Sequence, residues 1–125
     1  MKEVIRTESA PAAIGPYNQA VRAGNFLFIS GQLGMDPDSG KLAEDLSSQV
    51  ERVIHNLKAV AEAAGGGLQS IVKTTVMLDS MDDFKEMNNV YMKYFKEDPP
   101  ARAAYEVSKL PLGALVEIEA VAYFE

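Results

Sequence analysis

The chain has no cysteine, no tryptophan and a single histidine among its 125 residues. Without cysteine there is no disulfide, no thiol nucleophile and no thiolate metal site, which fits a reducing compartment. With His55 as the only imidazole, a His-based zinc site or a Ser-His-Asp triad has a poor foundation. No apolar run approaches the ~20 residues of a membrane span. The opening residues, Met1-Lys2-Glu3-Val4-Ile5-Arg6, contain no apolar signal-like stretch. Basic residues are also scarce: 12 Lys and Arg stand against 18 Asp and Glu, a net charge of −6. Such a surface is poorly built to follow a phosphate backbone. Neither a membrane nor a nucleic acid is the expected partner, and the expected location is cytoplasmic.

What is present is ordinary globular material, 47% hydrophobic and 24% charged, enough for one domain spanning 1–125 with one core. Turns are marked by Ile14-Gly15-Pro16, Ala23-Gly24-Asn25, Asp36-Pro37-Asp38-Ser39-Gly40, Gly65-Gly66-Gly67, Pro99-Pro100 and Pro111-Leu112-Gly113. Helical spacing of Val50, Val53, Ile54, Leu57, Val60, Ala61 and Ala64 predicts a helix over 46–64. Asp45 or Ser47 is placed to cap it, and the triple glycine to end it. A second stripe, Phe84, Met87, Val90, Tyr91, Tyr94 and Phe95, predicts a helix over 81–96, with Ser80 and Asp83 resembling a capping box. Strands are predicted at 2–7, 19–23, 26–32, 71–79, 101–106 and 115–124, with Ala23-Gly24-Asn25 as a hairpin turn. The order β-β-β-α-β-α-β-β predicts an α+β domain with both helices on one face of a mixed sheet. The link from the third strand through the first helix to the fourth is a βαβ crossover.

Two helices cover only one sheet face. In the last strand Leu115, Glu117, Glu119, Val121 and Tyr123 share the other side, and the run Phe26-Leu27-Phe28-Ile29 reads as buried on both sides. A partner chain, most simply another copy, is therefore expected to cover that face.

Several residues could carry chemistry. Arg102, one of only four arginines, follows Pro99-Pro100-Ala101. Its planar fork suits a carboxylate or phosphate, and the small side chains of Ala101, Ala103 and Ala104 leave the nearby backbone accessible; alternatively it forms a surface ion pair. Glu117 and Glu119 lie ~7 Å apart on one strand face. Enclosed by apolar neighbours and an interface, such an acid has a raised pKa suited to a general base; alternatively the two form a solvated acidic stripe. Tyr17 follows a Gly-Pro corner that can present a phenol at a cleft or anchor it in the core. Ser30-Gly31-Gln32 ends an apolar strand, where Gly31 admits close approach to its backbone or simply makes a turn. Asn88 falls beside the apolar stripe, tending inward, where a structural hydrogen bond is the plainer reading. His55 reads as a satisfied structural histidine. Met77, Met81, Met87 and Met92 read as core filler.

Taken together, Ile14-Gly15-Pro16-Tyr17-x-Gln19-Ala20, Ser30-Gly31-Gln32, Asn88-x-Val90-Tyr91, Pro100-Ala101-Arg102 and Val116-Glu117-Ile118-Glu119-Ala120-Val121-Ala122 resemble the reactive intermediate deaminase family, the YjgF-like proteins, and most closely its RidA branch. These motifs span 14–122 in order. The resemblance implies a chorismate-mutase-like fold and a homotrimer with clefts between neighbouring copies. It implies hydrolysis of 2-imino acids, such as 2-iminobutanoate and 2-iminopropanoate, to 2-keto acids and ammonia, with no cofactor or metal. By resemblance, Arg102 clamps the substrate carboxylate and Glu117 activates water. Tyr17, Ser30 and Asn88 line the pocket, and Gly31 and Ala104 contribute backbone groups. The family often has a cysteine where Ala104 stands, so that position is expected to act through its main chain. Two readings compete with catalysis: a regulatory module that only binds a small carboxylate, and a structural oligomer in which Arg102 and Glu117 pair across an interface. RNA cleavage, a label attached to some relatives, is opposed by the acidic balance and the lone His55.

Overall fold

Gly24, at φ +61°, closes the tightest turn of the chain. It links strand β2 (Ala20–Ala23) to β3 (Phe26–Leu33) through Gly24 and Asn25 alone, so that Ala23 faces Phe26. The rest of the computed structural model, which describes residues 1–125, comprises β1 (Lys2–Ile5), α1 (Leu46–Ala63), β4 (Ile71–Leu78), α2 (Phe84–Tyr94), β5 (Ala101–Glu106) and β6 (Val116–Tyr123). The six strands lie in the order β1-β2-β3-β6-β4-β5. All neighbours are antiparallel except β4 and β5. The expected α+β fold with both helices on one face of a mixed sheet is the fold observed.

Each element has a local cause. Asp45 caps α1 by accepting from the Ser48 N–H at 2.8 Å. The chain leaves α1 at Gly65, φ +98°, with Gly66 N–H returning to the Ala61 carbonyl. Thr7 falls outside β1 because its N–H turns to Gln19 Oε1 at 2.7 Å. The helix expected over 81–96 starts later: Met81–Asp83 form a 3-10 turn, and α2 proper begins at Phe84. The expected capping box does not form; Ser80 accepts from Asp82 N–H, and Asp83 makes no side-chain cap. The tighter turn brings Asp82, not Asp83, under the serine hydroxyl.

One core lies between the helices and the sheet. Leu27 and Ile29 from β3, Val76 and Leu78 from β4, and Val116 and Ile118 from β6 meet Val53, Ile54 and Leu57 of α1 and Met87 of α2. Each fully buried aliphatic contributes about 1.5–3 kcal/mol. Within the single chain Phe26 and Phe28 are 43% and 49% exposed while Leu27 and Ile29 are buried, because the helices reach only one face of the sheet. One expectation is corrected. Of the four methionines read as core, only Met87 is buried; Met77 is half-buried, and Met81 and Met92 are exposed because they take helix or turn angles that face away from the sheet. Phe26, Phe28 and Tyr123 instead cluster on the open face, with Phe26 and Tyr123 edge to face at 5.2 Å.

Candidate functional site

Two hollows, on different faces of the sheet, hold Tyr17, Ser30, Gly31 and Glu117 on one side and Asn88 and Arg102 on the other. The first grows out of a break in the β3–β6 ladder. Pairing shifts between Ile29 and Gln32, so Ser30 and Gly31 form a bulge. Glu117 of β6 is opposite Leu33, and its carboxyl lies directly over Gly31. A Cβ at Gly31 would overlap that carboxyl, its carbon being only 2.9 Å from where the methyl would sit. Ser30 is tied down by its hydroxyl, which donates to the Asn18 carbonyl at 2.6 Å. Tyr17, half-exposed, stands at the Gly-Pro corner with its phenol accepting from Ile14 N–H at 3.4 Å. Tyr17, Ser30, Gly31 and Glu117 share one hollow of about 520 Å³, with Ile14, Leu33, Met35, Pro111 and Leu112 as apolar wall. Burial pushes the Glu117 carboxyl up, and the Glu119 charge pushes it in the same direction. Glu119 points from the same face but is exposed.

The second hollow, about 570 Å³, lies where α2 crosses the edge strand β5. Phe84, Asn88 and Tyr91 recur at helical spacing and face Arg102. The guanidinium carbon sits 4.9 Å from the Tyr91 ring centre and 5.4 Å from that of Phe84. Its Nη1 donates to Asn88 Oδ1 at 2.7 Å. The Tyr91 ring is itself fixed from below, its hydroxyl 2.8 Å from buried Thr74 Oγ1. The side-chain hydrogen-bond partner of Arg102 is a neutral amide, and none of the chain's own acids forms an ion pair with it. Asn88 is half-buried, and it serves that arginine rather than the core. Val107 N–H bonds to the Leu78 carbonyl in the regular β4–β5 register, so alternation turns the main-chain groups of Arg102 and Ala104 to the open edge of the sheet.

One chain does not bring the two groups together. Arg102 is level with Thr74 on β4 and Glu117 with Met77. They are two strands and three residues apart, a Cα separation of about 14 Å, and an odd register step puts them on opposite faces. His55 is remote from both hollows, exposed on α1 with its ring edge-on to Tyr94. The Tyr94 hydroxyl donates to Glu51 at 2.7 Å. No group of three or more His, Asp or Glu side chains is placed to hold a metal ion. No helix is long and apolar enough to cross a membrane.

Sequence reasoning read Phe84 only as part of the apolar stripe and Tyr91 as part of that stripe and of the Asn88-x-Val90-Tyr91 motif; the role of both rings under the guanidinium was missed. The signal was available: both stand at helical spacing from Asn88, the residue that binds Arg102. Ile14 and Leu112 were read as turn residues, although an apolar side chain inside a Gly-Pro or Pro-Gly turn has little core to enter.

Comparison with known proteins agrees with this fold. The family model described as Endoribonuclease L-PSP matches residues 7–124. A RutC family protein of Pyrococcus horikoshii is 55% identical over all of both chains. The human 2-iminobutanoate/2-iminopropanoate deaminase is 46% identical over 98% of this chain and 90% of its own. The crystal structure of RidA from an Antarctic Psychrobacter superposes with a TM-score of 0.95 at 48% identity, covering 98% of this chain and 99% of that one. The motifs, the fold and these likenesses converge: the chain belongs to the L-PSP family, that of the RidA-type reactive intermediate deaminases.

Proposed function

We propose that the protein hydrolyses reactive 2-imino acids, 2-iminobutanoate and 2-iminopropanoate among them, to 2-keto acids and ammonia. The working cleft joins the Arg102 half-site of one copy to the Glu117 half-site of another in a homotrimer. One observation carries the reading: the two halves are complementary, yet they lie on opposite faces of the same sheet. An unpaired cation held on aromatic faces and a carboxyl of raised pKa in an apolar hollow are the two parts that water addition to an anionic imine needs. The open face bearing Phe26, Phe28, Val121 and Tyr123 supplies the surface for association.

The chemistry follows from the groups. Arg102 holds the substrate carboxylate, which fixes the direction of the C=N carbon. Glu117, more basic than an ordinary carboxylate, takes a proton as the water oxygen bonds to that carbon. It returns the proton to nitrogen. That leaves a carbinolamine; Glu117 next takes its hydroxyl proton and passes it to the same nitrogen, and the C–N bond breaks as the C=O bond forms, releasing ammonia and the keto acid. Main-chain groups of Gly31 and Ala104 sit beside the reacting centre and favour the charge that develops on nitrogen. The pathway draws on the side chains and backbone alone, in a reducing compartment such as the cytoplasm.

The same family's model description names an endoribonuclease. The net charge of −6 and the distance of His55 from both hollows favour the imine reading. The test is direct. Threonine and a threonine dehydratase supply 2-iminobutanoate, and its decay is followed with and without the protein. Accelerated decay, lost in Arg102→Ala and in Glu117→Gln, supports the proposal. Full activity in both variants, or binding of 2-ketobutyrate with no turnover, contradicts it; the latter is the behaviour of a regulatory binding module.

A further inference from the structure

Arg52 on α1 has no task in the chemistry above, yet it is held with care. Its Nε donates to Asn56 Oδ1 at 3.1 Å, one helical turn further on. Asn56 is fully buried, and its amide donates to the carbonyls of Leu33 and Met35, both at 3.0 Å. The guanidinium is thus fixed from the interior, while its two terminal amino groups have no acceptor in the chain. Arg52 lines a hollow of about 440 Å³ between α1 and the 34–43 loop, and no residue of that hollow lines either half-site. Lys41 lines it too, with two acids, Asp36 and Glu51. These four charges form no ion pair with one another. Asp36 Oδ1 accepts from the N–H groups of Asp38 and Ser39, and Glu51 Oε1 from the Tyr94 hydroxyl; each acid keeps its second oxygen uncommitted. The Ser39 and Asp38 N–H groups hold the Asp36 carboxyl below its ordinary value, and the Arg52 charge adds to that effect.

We infer that this hollow binds a free α-amino acid with a polar, uncharged side chain, at a site separate from the imine cleft. Two cations against two acids leave the lining without net charge, but with its charges unpaired. A lone anion is repelled by the acids, and a lone cation by Arg52 and Lys41. A zwitterion satisfies both signs at once. The Arg52 fork takes the α-carboxylate through its free amino groups. The α-ammonium goes to the free oxygen of Asp36, the acid that the Arg52 charge already reaches. Ser39 and Ser48 offer hydroxyls to the side chain, and only Leu42 and Ala43 of the ten lining residues are apolar. The helix that carries Arg52 packs on the sheet face opposite to the one proposed for association.

The experiment titrates isotope-labelled protein with L-asparagine and follows the amide chemical shifts. The expected Kd is on the order of 1 mM, the yield of two charge-assisted hydrogen bonds at a half-open site, with shifts centred on the 34–55 segment. Two analogues each lack one charge: succinamate has no ammonium and 3-aminopropanamide no carboxylate. Each is expected to bind at least tenfold more weakly, and L-leucine at least threefold more weakly. Arg52→Gln removes the fork. Asp36→Asn removes the acid's charge but keeps an oxygen for the two N–H groups. Each variant is expected to weaken asparagine binding at least tenfold with an unchanged circular dichroism spectrum, whereas Arg102→Ala is expected to leave it within twofold. Absence of shifts at about twenty times the expected Kd overturns the inference. So does succinamate or L-leucine binding as tightly as asparagine, or an affinity unchanged in Asp36→Asn. Binding lost in Arg102→Ala but kept in Arg52→Gln assigns the amino acid to the imine cleft and also overturns it.

Discussion

Glu117 shows how one side chain trades stability for reactivity. Its folded pKa is raised, chiefly by burial. The fold therefore favours the protonated form. That contribution is complete below the ordinary value of 4.5 and is lost as pH rises through the raised value. At neutral pH the charged carboxylate is a liability. Glu117→Gln is expected to melt no lower than wild type at pH 7, with any gain shrinking toward pH 4, while deamination falls at least a hundredfold; thermal melts at the two pH values and turnover check the two halves. In wild type the acid limb of the pH–rate profile is expected above pH 4.5, since the base must be ionised. Gly31 sets where that carboxyl rests. Gly31→Ala puts a methyl where the carboxyl lies and is expected to cost activity at least tenfold with the fold retained, measured by turnover beside circular dichroism.

At the scale of elements, α2 acts as a cradle for one residue of β5. Phe84, Asn88 and Tyr91 surround the guanidinium, and Thr74 of β4 holds Tyr91 in place. Tyr91→Leu removes a ring face worth about 0.5–1 kcal/mol to an exposed cation. It is expected to raise KM a few-fold with kcat little changed, whereas Tyr91→Phe keeps the ring and the KM but leaves the Thr74 hydroxyl unpaired, costing about 1–3 kcal/mol of stability. Steady-state kinetics and denaturant melts separate the two. These elements were largely legible in the sequence. Helical spacing marks α1 and α2, Gly24-Asn25 marks the hairpin, and alternation in Val116–Tyr123 marks which side of β6 is buried. What was not legible is non-local. Nothing in the periodicity of β6 says that it slots between β3 and β4, or that β4 and β5 pair in parallel. The bulge at Ser30-Gly31 was visible only as a glycine in a strand. The late start of α2 and the exposure of Met81 go with a 3-10 turn capped by one hydroxyl, Ser80, while Met92 is exposed by its angle on α2.

At the scale of the molecule, the sheet is finished on one face only. Covering the other with copies of the same chain would bury Phe26, Phe28 and Tyr123 and carry each Glu117 half-site toward another copy's Arg102. Phe28→Glu places a charge in the middle of that face. It is expected to shift the protein to monomer in size-exclusion chromatography and to abolish turnover while the helical signal in circular dichroism persists. The residues of the candidate site could be picked out of the sequence one by one. Their division between two faces could not, because it depends on the parity of strand register across β4.

Mixing two inactive variants tests the shared cleft most directly. Arg102→Ala and Glu117→Gln are each expected to be inert toward 2-iminobutanoate. When the two are unfolded together and refolded, random assembly gives roughly a quarter of the clefts an intact Arg102 from one copy and an intact Glu117 from another. The account predicts recovery of about a quarter of wild-type activity in the mixture. A mixture that forms mixed oligomers and stays as inactive as its parents would contradict it.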